Sequence, residues 1–161
     1  MGTDPLIHQE NPTGPDLSLL FARHTADMHI DTPPESIHMM DAGQLAVPQV
    51  AFFVLREAGV AQAMGAFKRL SGSHAEIKSM RTPAVQRREG AGRAILNHII
   101  SETKMRGYKQ LSLETGPASM FASAHKLYKS AGFRPCGPFG DYQLDPHSVF
   151  MTMDLQSHVA A

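Results

Sequence analysis

The chain has 161 residues, 42% of them hydrophobic, with 15 basic side chains balanced by 15 acidic ones, a size that suits one domain around one hydrophobic core. Zero formal charge leaves no overall attraction to nucleic acid or to an anionic membrane surface, so any anion site has to be local. The only cysteine, Cys136, excludes an internal disulfide and any multi-thiolate metal centre, and no apolar run approaches the roughly 20 residues that span a bilayer, so the expected compartment is the cytoplasm.

The N-terminus has neither a basic nor a continuous apolar segment, and Leu6 stands where a myristoylation signal behind Met1-Gly2 needs Ser or Thr. Residues 6–10 read as a short strand. Leu17, Leu20, Phe21, His24 and Met28 recur at helical spacing behind Pro15-Asp16, until Thr32-Pro33-Pro34 stops them. Ser36 caps a second short helix through Ile37, Met39 and Met40. The β-rich run at 49–56 turns at Glu57-Ala58-Gly59 into a strand at 60–69, and Ser71-Gly72-Ser73 turns that into a strand at 74–82. Three strands in succession predict an antiparallel meander.

From Gly90 the period changes: Ile95, Leu96, Ile99, Ile100 and Thr103 share one helical face, with Gly107 placed to close the C-terminus. Residues 109–115 return to strand spacing. Phe121, Ala124, Leu127, Tyr128 and Ala131 form a second helical stripe closed by Gly132, and Val149, Met151, Met153 and Leu155 alternate as a last strand. The order is that of an α+β (mixed α/β) fold.

Strand, glycine-rich loop, helix is the arrangement that aims free backbone N–H groups at an anion. The loop is Arg87-Arg88-Glu89-Gly90-Ala91-Gly92, followed by Arg93. Gly90 and Gly92 remove side chains where a phosphate approaches, and Arg87, Arg88 and Arg93 supply charge-assisted contacts. No G-K-[ST] follows, which excludes a Walker A loop, and a preceding meander argues against a Rossmann turn.

Arg87-x-x-Gly90-x-Gly92 matches the Q/R-x-x-G-x-G/A pattern of the GNAT superfamily of N-acetyltransferases, where it follows the fourth strand. Ala75-Glu76-Ile77 lies before it at the spacing of the histone-acetylating branch, and Leu127-Tyr128-Lys129-Ser130-Ala131-Gly132-Phe133 resembles the superfamily's L-Y-x-x-x-G-F segment. The stretches at 113–116, 136–142 and 148–151 resemble a bacterial subgroup of such acetyltransferases. The resemblance covers nearly the whole chain and implies a single domain over 1–161. It implies a twisted, mostly antiparallel sheet of six to seven strands with about four helices, splayed between the fourth and fifth strands.

The implied reaction moves an acetyl group from acetyl-CoA to an amine of a small molecule or peptide, by direct attack in a ternary complex. It needs a held donor, a base, a donor to the developing oxyanion and a proton or hydrogen bond for the leaving sulfur. The resemblance gives the pantetheine arm Met80, Arg81 and Thr82, and the pyrophosphate Arg87 to Arg93. It gives Tyr128 the leaving sulfur and Glu76 the base role, directly or through water. Where the family often has a cofactor-binding asparagine stands Phe121, a candidate neighbour of the arm together with Ala124. Simple alternation puts Glu76, Lys78, Met80 and Thr82 on one face, with Glu76 roughly 13 Å from Met80. Glu76 could equally pair with Lys78 or His74.

The acceptor is expected between the early helices and the loop before the last strand. Those segments carry His29, Asp31, Glu35, Ser36 and His38, then Asp141, Tyr142 and Asp145, which suit a cationic amine. Nine histidines form no H-x-H or H-x-x-x-H pair, so no metal is expected. A homodimer is common in the superfamily, and neither nucleic acid nor membrane is an expected partner. Two other readings stay open: a catalytically silent CoA-binding sensor or scaffold, and a site for a different anion such as a free nucleotide.

Overall fold

The computed structural model describes residues 6–17, 42–81 and 90–155, without the side chains of Pro15, Ala42, Ser79, Arg81 and 118–121. In chain order these residues form β1 (Leu6–Gln9), a 3-10 turn (Pro15–Leu17), α1 (Ala42–Leu45), β2 (Val50–Glu57), β3 (Val60–Arg69) and β4 (His74–Arg81). Then come α2 (Ala91–Met105), β5 (Gln110–Thr115), α3 (Ala118–Ala131), β6 (Arg134–Cys136) and β7 (Val149–Asp154). Beyond Leu17, the helices expected over 17–28 and 36–40 lie outside the described residues. No described helix is long and apolar enough to cross a membrane.

The meander forms as the sequence predicts. Ala58 and Gly59 both have positive φ, 51° and 81°, the type I′ geometry whose twist matches the flanking strands of a two-residue hairpin. β1 to β4 then run antiparallel side by side, β4 pairs β5 in parallel, and β7 lies between β5 and β6, giving one seven-stranded sheet. Sequence spacing does not find β6, whose Arg-Pro-Cys has no alternation. Its proline is tolerated because β6 is an edge strand.

Each face of the sheet has its own core. On one, Phe53, Phe67, Ile77, Leu111, Leu113 and Met151 pack with Ile95, Leu96 and Ile99 of α2 and with Tyr128 and Phe133 at the end of α3. Gly107 (φ 88°) and Gly132 (φ 112°) follow the two helices in left-handed backbone. On the other face Leu17 and Leu45 cover Phe52, Val54, Met64 and Ala66. Arg56 ties the N-terminal segment to β2, donating to both oxygens of Glu10 and to Asp16. The β4–β5–β7 part of this second face is polar, and the loop before β7 lies over it.

Candidate active site

The β4–β5 ladder is short. It pairs His74 with Gln110, Ala75 with Leu111 and Glu76 with Ser112, and there it ends, although β4 continues to Arg81 and β5 to Thr115. Beyond Glu76 the two strands part, and the edge of β4 that faces β5 keeps backbone groups available to an extended partner. This is the splay expected between the fourth and fifth strands.

A bulge sits on the same segment. Ala66 pairs with Lys78 but Met64 with Arg81, so Ser79 and Met80 together stand opposite the single residue Gly65. The extra residue reverses the alternation. Glu76 and Lys78 stay on the polar face, whereas Met80 turns to the other side and packs against the α2 core. The expectation that Glu76, Lys78 and Met80 share one face is therefore corrected. Gly65 makes the turn possible, because a Cβ there would lie 2.6 Å from Ile95 Cγ2 and 2.7 Å from Met80 Sδ.

At the mouth of the splay, on the polar face, Glu76 is 3% exposed. The Tyr142 hydroxyl, from the loop before β7, donates to Glu76 Oε2 at 2.5 Å and accepts from Lys78 Nζ at 2.8 Å. Lys78 Nζ is also 3.2 Å from Glu76 Oε2, closing a three-membered ring of carboxylate, phenol and ammonium. Phe139 and Phe150 hold the Tyr142 ring at centroid distances of 5.1 and 5.4 Å. Burial and the Glu76 carboxylate both push the Tyr142 hydroxyl far up, so it remains a donor.

Glu114 follows Ser112 on the same face of β5 and accepts a hydrogen bond from Ser148 Oγ at 2.8 Å. Burial raises its carboxyl above the ordinary range, against the opposing effects of Ser148 and Lys78. Its charge is felt by both Tyr128 and Tyr142. The motif reading assigns no role to Lys78, Glu114 or Ser148. The signal present was the alternation of Ser112 and Glu114 with Leu111 and Leu113, which marks a polar face on an otherwise buried strand. His74, also on this face, is held by burial below the usual histidine range and shares a 2.7 Å hydrogen bond with Ser112 Oγ.

Tyr128 is 7% exposed and meets Phe133 edge-on. Burial, then the Glu114 charge, pushes its hydroxyl up to about 12. Gly90 is the N-cap of α2 in left-handed backbone (φ 78°), and a side chain on it would meet open space. Ala91 points into the core, while exposed Arg93 reaches α3 through a 2.9 Å bond to Ser130 Oγ. Ala124 packs at the core's edge and Asp141 is exposed beside Tyr142. Thr82, Arg87, Arg88, Glu89, His29, Asp31, Glu35, Ser36 and His38, and the side chains of Arg81 and Phe121, lie outside the described residues.

Parted strands beside a glycine-led helix start, with a buried carboxylate and a buried phenol on opposite faces, define an acyl-transferase architecture. The chain belongs to the acetyltransferase (GNAT) family, whose pattern matches residues 19–133. It is 46% identical over 149 residues to the uncharacterized N-acetyltransferase YsnE of Bacillus subtilis, covering 92% of this chain and 99% of that one. With the uncharacterized N-acetyltransferase YedL of Escherichia coli it shares 40% identity, over 92% and 94% of the two chains. An IAA acetyltransferase of Azospirillum brasilense is 36% identical over 83% of this chain and 84% of its own length. Among solved structures, a putative acyl-CoA N-acyltransferase from Klebsiella pneumoniae superposes with a TM-score of 0.75 at 25% identity, covering 94% and 97% of the chains. The protein is thus a GNAT N-acetyltransferase, and GNAT acetyltransferases use acetyl-CoA as donor.

Proposed function

We propose that this protein, read as one domain over 1–161, transfers an acetyl group from acetyl-CoA directly to an amine at the mouth of the β4–β5 splay. The observation that carries the reading is the end of the ladder at Glu76 and Ser112, with Glu76, Tyr142 and Glu114 converging on one side of the gap and Tyr128 buried on the other. The residues fit the donor. The open edge of β4 suits an extended amide-bearing arm, and the α2 amides after Gly90 suit a pyrophosphate. Gly90, Ala91, Gly92 and Arg93 would hold it there, together with Met80 to Thr82 and Arg87 to Glu89. Bound acetyl-CoA supplies the thioester.

Glu76 accepts the proton of the incoming amine, directly or through water, and Tyr142 keeps its carboxylate oriented. Tyr128, protonated at neutral pH, donates a hydrogen bond toward the leaving sulfur rather than a full proton. Glu114 and Asp141 give the acceptor side an anionic character that suits a cationic amine. The name of the Azospirillum relative supports a small-molecule acceptor.

The test couples binding to turnover. Calorimetry should show CoA binding to the wild type and not to Gly92→Asp, with no comparable ATP binding. An acidic residue in the first turn favours the helix itself, and a melting curve that matches wild type makes lost binding a report of pyrophosphate repulsion. Thiol release from acetyl-CoA over an amine panel should then identify acceptors. Tight CoA binding with no turnover on any amine would establish the silent module instead, and equal affinity for ATP would refute the CoA site.

A further inference from the structure

An amine of the chain itself already stands where the acceptor is expected. Lys78 follows the last β4–β5 pair on the face that carries Glu76, and its side chain is 11% exposed. Its Nζ lies 3.2 Å from Glu76 Oε2, donates to the Tyr142 hydroxyl oxygen at 2.8 Å, and sits 5.3 Å from the centre of the Tyr142 ring. Nucleophile, base and orienting phenol are thus within hydrogen-bond reach of one another at the point where the strands part. Holding a nucleophile beside its base makes the step effectively unimolecular. Lys109, Lys126 and Lys129 are exposed to solvent by contrast.

We propose that Lys78 is an internal acyl acceptor, so that the enzyme acetylates its own Lys78 Nζ when no external amine is present. This rests on the acyl-transfer reading above. Glu76 takes one proton from the Lys78 ammonium, and neutral Nζ forms a C–N bond to the thioester carbonyl carbon. The C–S bond breaks, and the sulfur leaves as CoA thiol with the second amine proton. The products are N-acetyl-Lys78 and CoA, with no oxidant or reductant required. The amide is an end product and not a transfer intermediate. Its formation removes the positive charge beside Glu76 and leaves that carboxylate facing the acceptor side.

The full chain is incubated with acetyl-CoA alone, digested, and mapped by mass spectrometry over time. Acetylation should appear at Lys78 ahead of Lys109, Lys126 and Lys129, disappear from this position in Lys78→Arg, and slow by about 10²-fold in Glu76→Gln. Heat-unfolded protein should show no such preference, and melting curves establish that both variants fold. Modification led by the exposed lysines, or an equal rate at Lys78 in wild type and Glu76→Gln, overturns the proposal. The same samples are assayed with external amines. Turnover there with Lys78 unmodified overturns self-acetylation and leaves the transferase reading standing, whereas neither product overturns both.

Discussion

Tyr128 combines deep burial with a negative neighbour, Glu114, and both keep its proton in place, its hydroxyl pushed up to about 12. Tyr128→Phe should therefore lower kcat by about 10²-fold, the scale of losing one donor to developing charge, with little change in KM for acetyl-CoA. Because the donor form persists well into alkaline solution, that ratio should be the same at about pH 7 and about pH 9. A ratio that collapses by the higher pH contradicts the assignment. Glu114 carries the opposite lesson for stability. Its folded-state carboxyl is raised by burial from an ordinary value of 4.5, so the unfolded chain ionises first as pH rises and stability falls through that interval. Glu114→Gln should melt above wild type at neutral pH, with the gap closing below about pH 4.5. An unchanged or lower melting temperature at neutral pH refutes it. The sequence motif pointed to Glu76 and Tyr128, but no local pattern joins Glu76 to Tyr142 across 66 positions or Glu114 to Ser148 across 34. Those pairings exist only once the loop before β7 folds over the sheet.

At the level of elements, turns and helix stops were legible because glycine chemistry marks them: Gly59, Gly107 and Gly132 all adopt positive φ where the pattern breaks. The bulge in β4 was not. An extra residue in a strand leaves no compositional trace, and alternation continued through it puts Met80 on the wrong side. β6 escaped for a related reason, since three residues at an edge establish no period. The bulge also makes Gly65 a sensitive position. Gly65→Ala would bring its Cβ to 2.6 Å from Ile95 Cγ2 and 3.0 Å from Ile99 Cδ1, an overpacking that costs roughly 1–3 kcal/mol. Because the displaced residue is Met80, on the segment that borders the splay, CoA affinity should fall with stability. Thermal melts and calorimetry on the same variant check both, and loss of stability with unchanged CoA affinity would detach the bulge from donor binding.

For the whole molecule, one sheet separates two sets of side chains. The α2 and α3 face carries the apolar core and Tyr128, and the opposite face carries Glu76, Lys78, Glu114 and the loop bearing Tyr142. The gap between β4 and β5 lies between these two sets of residues, and it follows from a parallel ladder that stops after three residue pairs. Fold class was readable from the order of periods along the chain, and the family from the glycine loop in its context. The acceptor was not, because its expected residues come from sequence-distant segments that share no motif. The central claim is that amine and acetyl-CoA meet in this gap and react directly. Initial rates measured while both substrates are varied decide it most directly. Double-reciprocal lines that intersect are predicted, as a ternary complex requires, and parallel lines, the mark of a covalent acetyl-enzyme that forms before the amine binds, would contradict it.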